Sequence, residues 1–516
     1  MKLLKIAIFV VASTLLISCG GQKSTTASNN KVEPVKFHIN LNDRSNDTFK
    51  VTVTAPELTS ENNIYQFAST APGTYTVMNI GRFVKTFEAF DDKGNPIETN
   101  KVSVNQYEFA QPEKVASINY EISETFDTEV KELPIYPMCG TSIEENHALI
   151  NAHAVLGYFK GKQATPMNIK IDYPENWLAG TALTLNSDNS YSANTFDHAV
   201  DSPILLGELT TASMEVSGTK VDILTYSEKG MITSEMVLES MKDMIISADK
   251  FLGGLPVDRY TFLFHFETNG KPINGAWEHS YSSEYTNQEK PWNEIEQNMK
   301  DMASHEFFHI VTPLNIHSEI IQEFNFIQPV PSRHLWLYEG TTEWAAHMMQ
   351  FKAGQKSMDD YLKMLRRKVY ISEQYYKSEF SLLDLSLKSF TKEGHEKYGD
   401  IYMGGALVAG LLDIRLLELS NGEKGLSDVI NQLAKIYGPN KAFDDATFFQ
   451  YFTDFTYPEI GDFLNSYVKE KNALPYKEYY QKVGISFNAE DMTFTLDENA
   501  SEKQLTLRSA WAKQLD

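Results

Sequence analysis

His305-Glu306-Phe307-Phe308-His309 constrains this chain more than any other feature. Two imidazoles at i and i+4 share one helix face, a turn apart. Only on a helix can both reach a single zinc ion at roughly 2.0–2.1 Å. The flanking pattern supplies that helix: Trp292, Ile295, Met299 and Met302 recur at spacings of 3, 4 and 3. Pro313 predicts a stop soon after the second histidine. Glu306 stands beside the first ligand, where a carboxylate can take a proton from metal-bound water.

A third ligand is expected from the segment His334 to Glu343. Leu335 to Phe351 has helical periodicity, and Glu339 is an acid embedded among Leu, Trp and Tyr. A charge isolated in such surroundings is expensive, and a metal ion would neutralise it. His305, His309 and Glu339 together leave a fourth position for water, as catalytic zinc requires, so one Zn2+ per chain is expected. Glu343, one turn on, reads equally as an acceptor for a ligand imidazole or as a solvated helix carboxylate.

The 516 residues are too many for one core and enough for two or three domains. Hydrophobic residues make up 42% and aromatics 12%, a globular composition. A net charge of -23 repels phosphate backbones, so no nucleic-acid partner is expected. Lys2 and Lys5 precede an apolar run from Ile6 to Ile17, broken only by Ser13 and Thr14. That run is short for a membrane span and has the layout of a secretory signal. It ends in Leu16-Ile17-Ser18-Cys19 followed by Gly20-Gly21, which resembles a bacterial lipobox. Cys19 is therefore expected to carry a lipid anchor, the alternative being an ordinary cleaved signal with an incidental cysteine. The expected location is the bacterial cell envelope, with Gly20 giving no sign of inner-membrane retention. Cys139, the other cysteine, has no partner for a disulfide and reads as a small core residue.

The fold expected is α+β and multidomain. Residues 1–19 read as signal and 20–34 as a Ser/Thr/Asn-rich tether. Residues 35–215 read as a β-sandwich-like domain, since Phe49 to Thr54 and Val115 to Ile122 alternate with period two. Asp91 to Pro96 has the look of a calcium loop but lacks its later acids, and a hairpin turn is expected instead. Residues 216–483 read as the mainly helical catalytic domain, and 484–516 as a short tail with one hairpin and a helix. His265, His279, His317 and His347 have no ligand spacing of their own and are expected on the surface or satisfied in the core.

The helical His motif with a downstream Glu resembles the gluzincin peptidases. More specifically, the chain resembles the glycyl-aminopeptidase family of metallopeptidases, family 61. Ala71 to Val77 and Ile80-Gly81-Arg82-Phe83 resemble its N-terminal signature, with Gly157-Tyr158-Phe159 and Asp201-Ser202-Pro203 fitting later parts. Gly275-Ala276-Trp277-Glu278-His279 resembles its substrate strand, and Tyr402 to Val408 its tyrosine helix. The resemblance implies a thermolysin-like catalytic domain. It implies that Gly275 and Glu278 bind substrate, Glu278 at the free α-amine, against the alternative of a surface strand glutamate. It implies that Tyr402 donates to the oxyanion, with Tyr398 as a rival and a core tyrosine as the alternative. The family's Trp and Lys-Arg after the second histidine are replaced by Ile310 to His317, and the tail is too short for the PDZ-like domain many members carry. The activity implied is removal of small N-terminal residues, Gly or Ala, from peptides. The rivals are an endopeptidase with the same ligands and a lipid-anchored binding protein without turnover.

Overall fold

The computed structural model describes residues 33–268 and 274–515. Cys19, the signal and most of the tether lie outside the described residues. The first half of the chain is built from the period-two strands. An eight-stranded sheet and a four-stranded sheet share one core. In Ser117–Ser123 of the larger sheet, Ile118, Tyr120 and Ile122 turn inward; in Thr48–Thr54, Val51 and Val53 do the same between outward-facing threonines. From the smaller sheet, Tyr65 and Phe67 in Ile64–Phe67 meet Tyr120, Phe67 edge-on at 5.3 Å. Burying each such aromatic is worth about 1.5–3 kcal/mol over leaving it exposed. The two sheets are thus held face to face by aromatic rings, as a sandwich requires. Val84–Phe90 pairs antiparallel with Pro96–Ile97, so Asp91 to Asn95 is the expected hairpin turn.

A five-stranded sheet begins at Thr210 and leads into the helical half. Thr219–Ser227, Arg259–Glu267 and Ser282–Gln288 run parallel at its centre. Thr210–Val216 forms one edge and Gly275–Glu278 the other, both antiparallel to their neighbours. Arg259–Glu267 is buried almost throughout, as its run of apolar residues demands for a strand covered on both faces. Ser234–Leu252, capped by the Thr233 hydroxyl, packs against this sheet. The motif helix is Trp292–Phe308, and Pro313 follows its end as expected.

The segment after Leu335 departs from a regular helix. Trp336–Thr341 is a π-helical turn, and the α-helix proper is Thr342–Lys352. Such turns recur at functional sites because they re-aim one side chain; this one carries Glu339. It packs against Gly399–Leu419, a helix buried nearly all round. The contact is backbone on backbone: a Cβ on Gly340 would lie 2.6 Å from Gly405 Cα. Only glycine at both positions permits that approach, which sets the distance between Glu339 and Tyr402.

The tail forms the hairpin Ile485–Asn488 with Thr493–Leu496 and the helix Glu502–Trp511. Trp511 is buried against Phe351 and Tyr361. Among the described residues, no helix is long and apolar enough to cross a membrane.

Candidate active site

Two elements, the motif helix with its C-cap and the π-helical turn, bring His305, His309 and Glu339 together. Their ligand atoms lie within 4.8 Å of one another, and all three residues are buried. His305 Nε2 is 3.3 Å from Glu339 Oε2, and His309 Nε2 is 3.5 Å from the same oxygen. An ion with bonds of about 2.0–2.2 Å and tetrahedral angles holds its ligands about 3.3–3.5 Å apart. The separations therefore fit a tetrahedral ion.

The tautomers agree with this fit. His305 Nδ1 is 2.8 Å from Glu343 Oε2, and His309 Nδ1 is 2.9 Å from the Thr312 carbonyl. Carboxylates and carbonyls only accept, so each Nδ1 carries a proton, which leaves each Nε2 as the atom that would ligate an ion. Of the two readings of Glu343, the acceptor for a ligand imidazole is the one the geometry supports. Burial alone would raise its pKa, but Lys368, His305 and His347 hold it well below the ordinary range. Lys368 itself is buried in a close ion pair with Glu343.

Glu339 is fixed from its other side by a residue with no assigned role in the sequence reading. The Tyr75 hydroxyl donates to Glu339 Oε1 at 3.1 Å. Tyr75 belongs to the Ala71 to Val77 segment of the N-terminal half, and its φ of 47° is unusual for a non-glycine residue. Nothing local in the sequence announces this contact, which spans 264 residues. Burial pushes the Glu339 carboxyl up, but His309, His305 and Tyr75 outweigh it and lower its pKa.

A cavity of about 350 Å³ opens over the cluster, lined by His305, Glu306, Met302, Ala276, Met138 and Tyr402, among others. Glu306 is pushed up to about 8, first by burial and then by the carboxylates of Glu339 and Glu343 against the opposing pull of His305. A dication at the cluster would reverse much of that effect. Glu278 lies close by: carboxylate oxygens of Glu278 and Glu306 and a ring nitrogen of His309 fall within 4.8 Å of one another. Burial, then the charges of Glu339 and Glu306, raise Glu278 well above the ordinary carboxylate range. The Pro72-Gly73 turn closes over this residue. The Trp277 indole donates to the Pro72 carbonyl at 3.2 Å, and a Cβ on Gly73, whose φ is 72°, would lie 2.7 Å from Glu278 Oε1.

Tyr402 lines the cavity, and its ring centroid is 5.5 Å from that of His305. Tyr398 packs behind it, against Tyr75. Gly275 begins the strand that carries Glu278. A Cβ on Gly275 would lie 3.0 Å from Met138, and Ala276 and Met138 line the cavity. The four histidines set aside in the sequence are all buried. His347 accompanies His305 in the cavity wall, with Nε2 3.3 Å from Glu343. His317 Nδ1 bonds the Pro313 carbonyl at 2.8 Å. His279 is 3.5 Å from Asp201, so the Asp201-Ser202-Pro203 segment meets the substrate strand. His265 is fully buried, with Nε2 2.9 Å from Glu267 Oε1.

Among known proteins, the fold is similar to an aminopeptidase N family protein from Idiomarina loihiensis. The TM-score is 0.75 at 20% identity, covering 88% of this chain and 78% of that one. It is also similar to native yeast LTA4 hydrolase, with a TM-score of 0.52 at 13% identity, covering 88% and 70%. No curated protein matches the sequence. Residues 36–208 match the model of the peptidase M61 N-terminal domain, and residues 298–408 match that of the M61 glycyl aminopeptidase. The second match spans both histidines, Glu306, Glu339 and Tyr402, and the two together take in more than half of the chain: it belongs to the M61 glycyl aminopeptidase family and is a metallopeptidase.

Proposed function

We propose that this protein is a zinc aminopeptidase of the bacterial cell envelope, anchored through a lipid on Cys19, that removes small N-terminal residues such as Gly or Ala from peptides. The observation that carries the exopeptidase reading is the crowding of half-buried Glu278 against Glu306 and His309, with the charge of Glu339 acting on it too. Glu278 there has strong carboxylate neighbours and needs a cation, which a peptide's α-ammonium supplies.

His305, His309 and Glu339 would hold the zinc, which when bound polarises a carbonyl and lowers the pKa of water. Glu278 holds the peptide's amino end and sets the first peptide bond beside Glu306. Glu306 takes a proton from the attacking water and returns it to the leaving amine. The Tyr402 phenol donates to the oxygen on which negative charge develops; its pKa, raised well above the ordinary range by burial and by Glu339, keeps it protonated for that task. Glu343 and the Thr312 carbonyl hold the two imidazoles in the tautomer that ligation needs.

The test is a pair of peptides identical except for an N-terminal acetyl group. Hydrolysis of the free-amine peptide with release of its first residue is expected. Equal or better cleavage of the acetylated twin would make the protein an endopeptidase with the same ligands. A screen over N-terminal residues then decides the preference for Gly and Ala.

A further inference from the structure

A second group of two histidines and a glutamate lies outside the cavity. His147, on the strand His147–Ile150, meets His265 and Glu267, on the strand Arg259–Glu267. His265 and Glu267 are two residues apart on a strand, so both point to one face. Their partner comes from a different sheet. Both Nε2 atoms converge on one oxygen: His147 is 2.7 Å and His265 2.9 Å from Glu267 Oε1. The residues are 3%, 0% and 4% exposed.

A hydrogen-bonded trio would aim an N–H at that oxygen. His265 Nε2 reaches it at 2.9 Å, but its N–H is poorly aimed at the oxygen. Leaving such a ring buried costs about 1–3 kcal/mol. A lone pair directed at an ion beside the oxygen would give His265 Nε2 a partner. Ligands at about 2.0–2.1 Å from an ion and at right angles to each other stand about 2.9 Å apart, as two imidazoles and a carboxylate do around six-coordinate ions. Ser142 Oγ, 3.3 Å from His147 Nε2, adds an oxygen beside the trio. The Tyr226 ring stacks on His147 at 3.9 Å.

We propose that His147, His265 and Glu267 bind a second divalent transition-metal ion, closed off from substrate, that staples the N-terminal sheet carrying His147 to the catalytic sheet carrying His265. Binding to the folded chain alone makes the ion a stabiliser, not a reactant.

The experiment is elemental analysis of the full chain, purified without chelator and reloaded with zinc or manganese. Two equivalents per chain are expected for the wild type. A His305→Gln/His309→Gln variant, altered only at the cavity, is expected to keep one equivalent, and a His147→Gln/His265→Gln variant to keep the other. One equivalent in the wild type and none in His305→Gln/His309→Gln would overturn the proposal and leave a compact trio without metal. That outcome does not require the second variant to fold. Retention by His305→Gln/His309→Gln of a metal-dependent rise in melting temperature is expected as well; its absence counts against the site. None of these readouts uses turnover, so failure here is separate from failure of the peptidase reading.

Discussion

The two histidine-glutamate groups use the same side-chain types in different frames. In the cavity group the histidines come from one helix, the glutamate from a π-helical turn, and the nitrogen-to-oxygen separations are 3.3 and 3.5 Å. In the buried group all three come from strands, and the separations are 2.7 and 2.9 Å. The cavity group has a carboxylate and a carbonyl behind its rings to fix their tautomers, a tyrosine behind its glutamate, and open space in front. His265 has no such partner. The difference teaches what separates a reactive centre from a structural one: not the ligand types, but outer partners that set orientation and a free side that admits substrate.

The largest expected effect falls on chemistry alone. Glu306→Gln is expected to lower kcat by about 10²- to 10⁴-fold while the cavity keeps its metal, measured by initial rates on a free-amine peptide together with metal content. Unchanged turnover would remove Glu306 as the base and erase the contrast between the groups.

Outer partners come next. Glu343→Gln is expected to weaken cavity metal binding or activity about 10- to 100-fold, and Tyr75→Phe about 10-fold, both read by competition with a chelator. An affinity unmoved in both variants would mean that the ligands need no support, as in the strand-built group. Gly405→Ala sharpens the geometric side. A Cβ there would lie 2.8 Å from Gly340 Cα, so the variant is expected to lose about 1–3 kcal/mol by urea unfolding and to lose activity at temperatures where it is still folded.

The smallest effect uses a buried histidine that belongs to neither group. His153 stands edge-on to Trp277 at 5.3 Å, and burial and His279 hold its pKa at about 3, against an ordinary 6.5. The unfolded chain takes up this proton near pH 6.5 and the folded chain does not. Stability therefore falls as pH drops through that window, with about 2 kcal/mol lost by pH 5. His153→Phe is expected to lose that much less between pH 7 and pH 5, read from urea midpoints. An identical acid dependence in both proteins would show that the ring is protonated in the fold.

Much of the cavity was legible because its signals are local. The spacing of His305 and His309 reports a helix face, and Glu339 stands out as a charge among Leu, Trp and Tyr. The alternating strands were legible for the same reason. Their order was not: Val35–Asn40 pairs in parallel with Met167–Asp172, far away in the chain. The π-helical turn escaped because an apolar period near 3.6 does not register one inserted residue. Tyr75, Lys368 and the meeting of His147 with His265 depend on which strands and loops become neighbours, and no spacing encodes that. Gly275 and Glu278 were assigned to the substrate by resemblance, and Ala276 between them lines the cavity.

Anomalous diffraction at the zinc edge, from crystals of protein shown to be active, tests the central claim most directly. The expected result is a peak bounded by His305 Nε2, His309 Nε2 and Glu339 Oε2. Full turnover from crystals with no density there would contradict it.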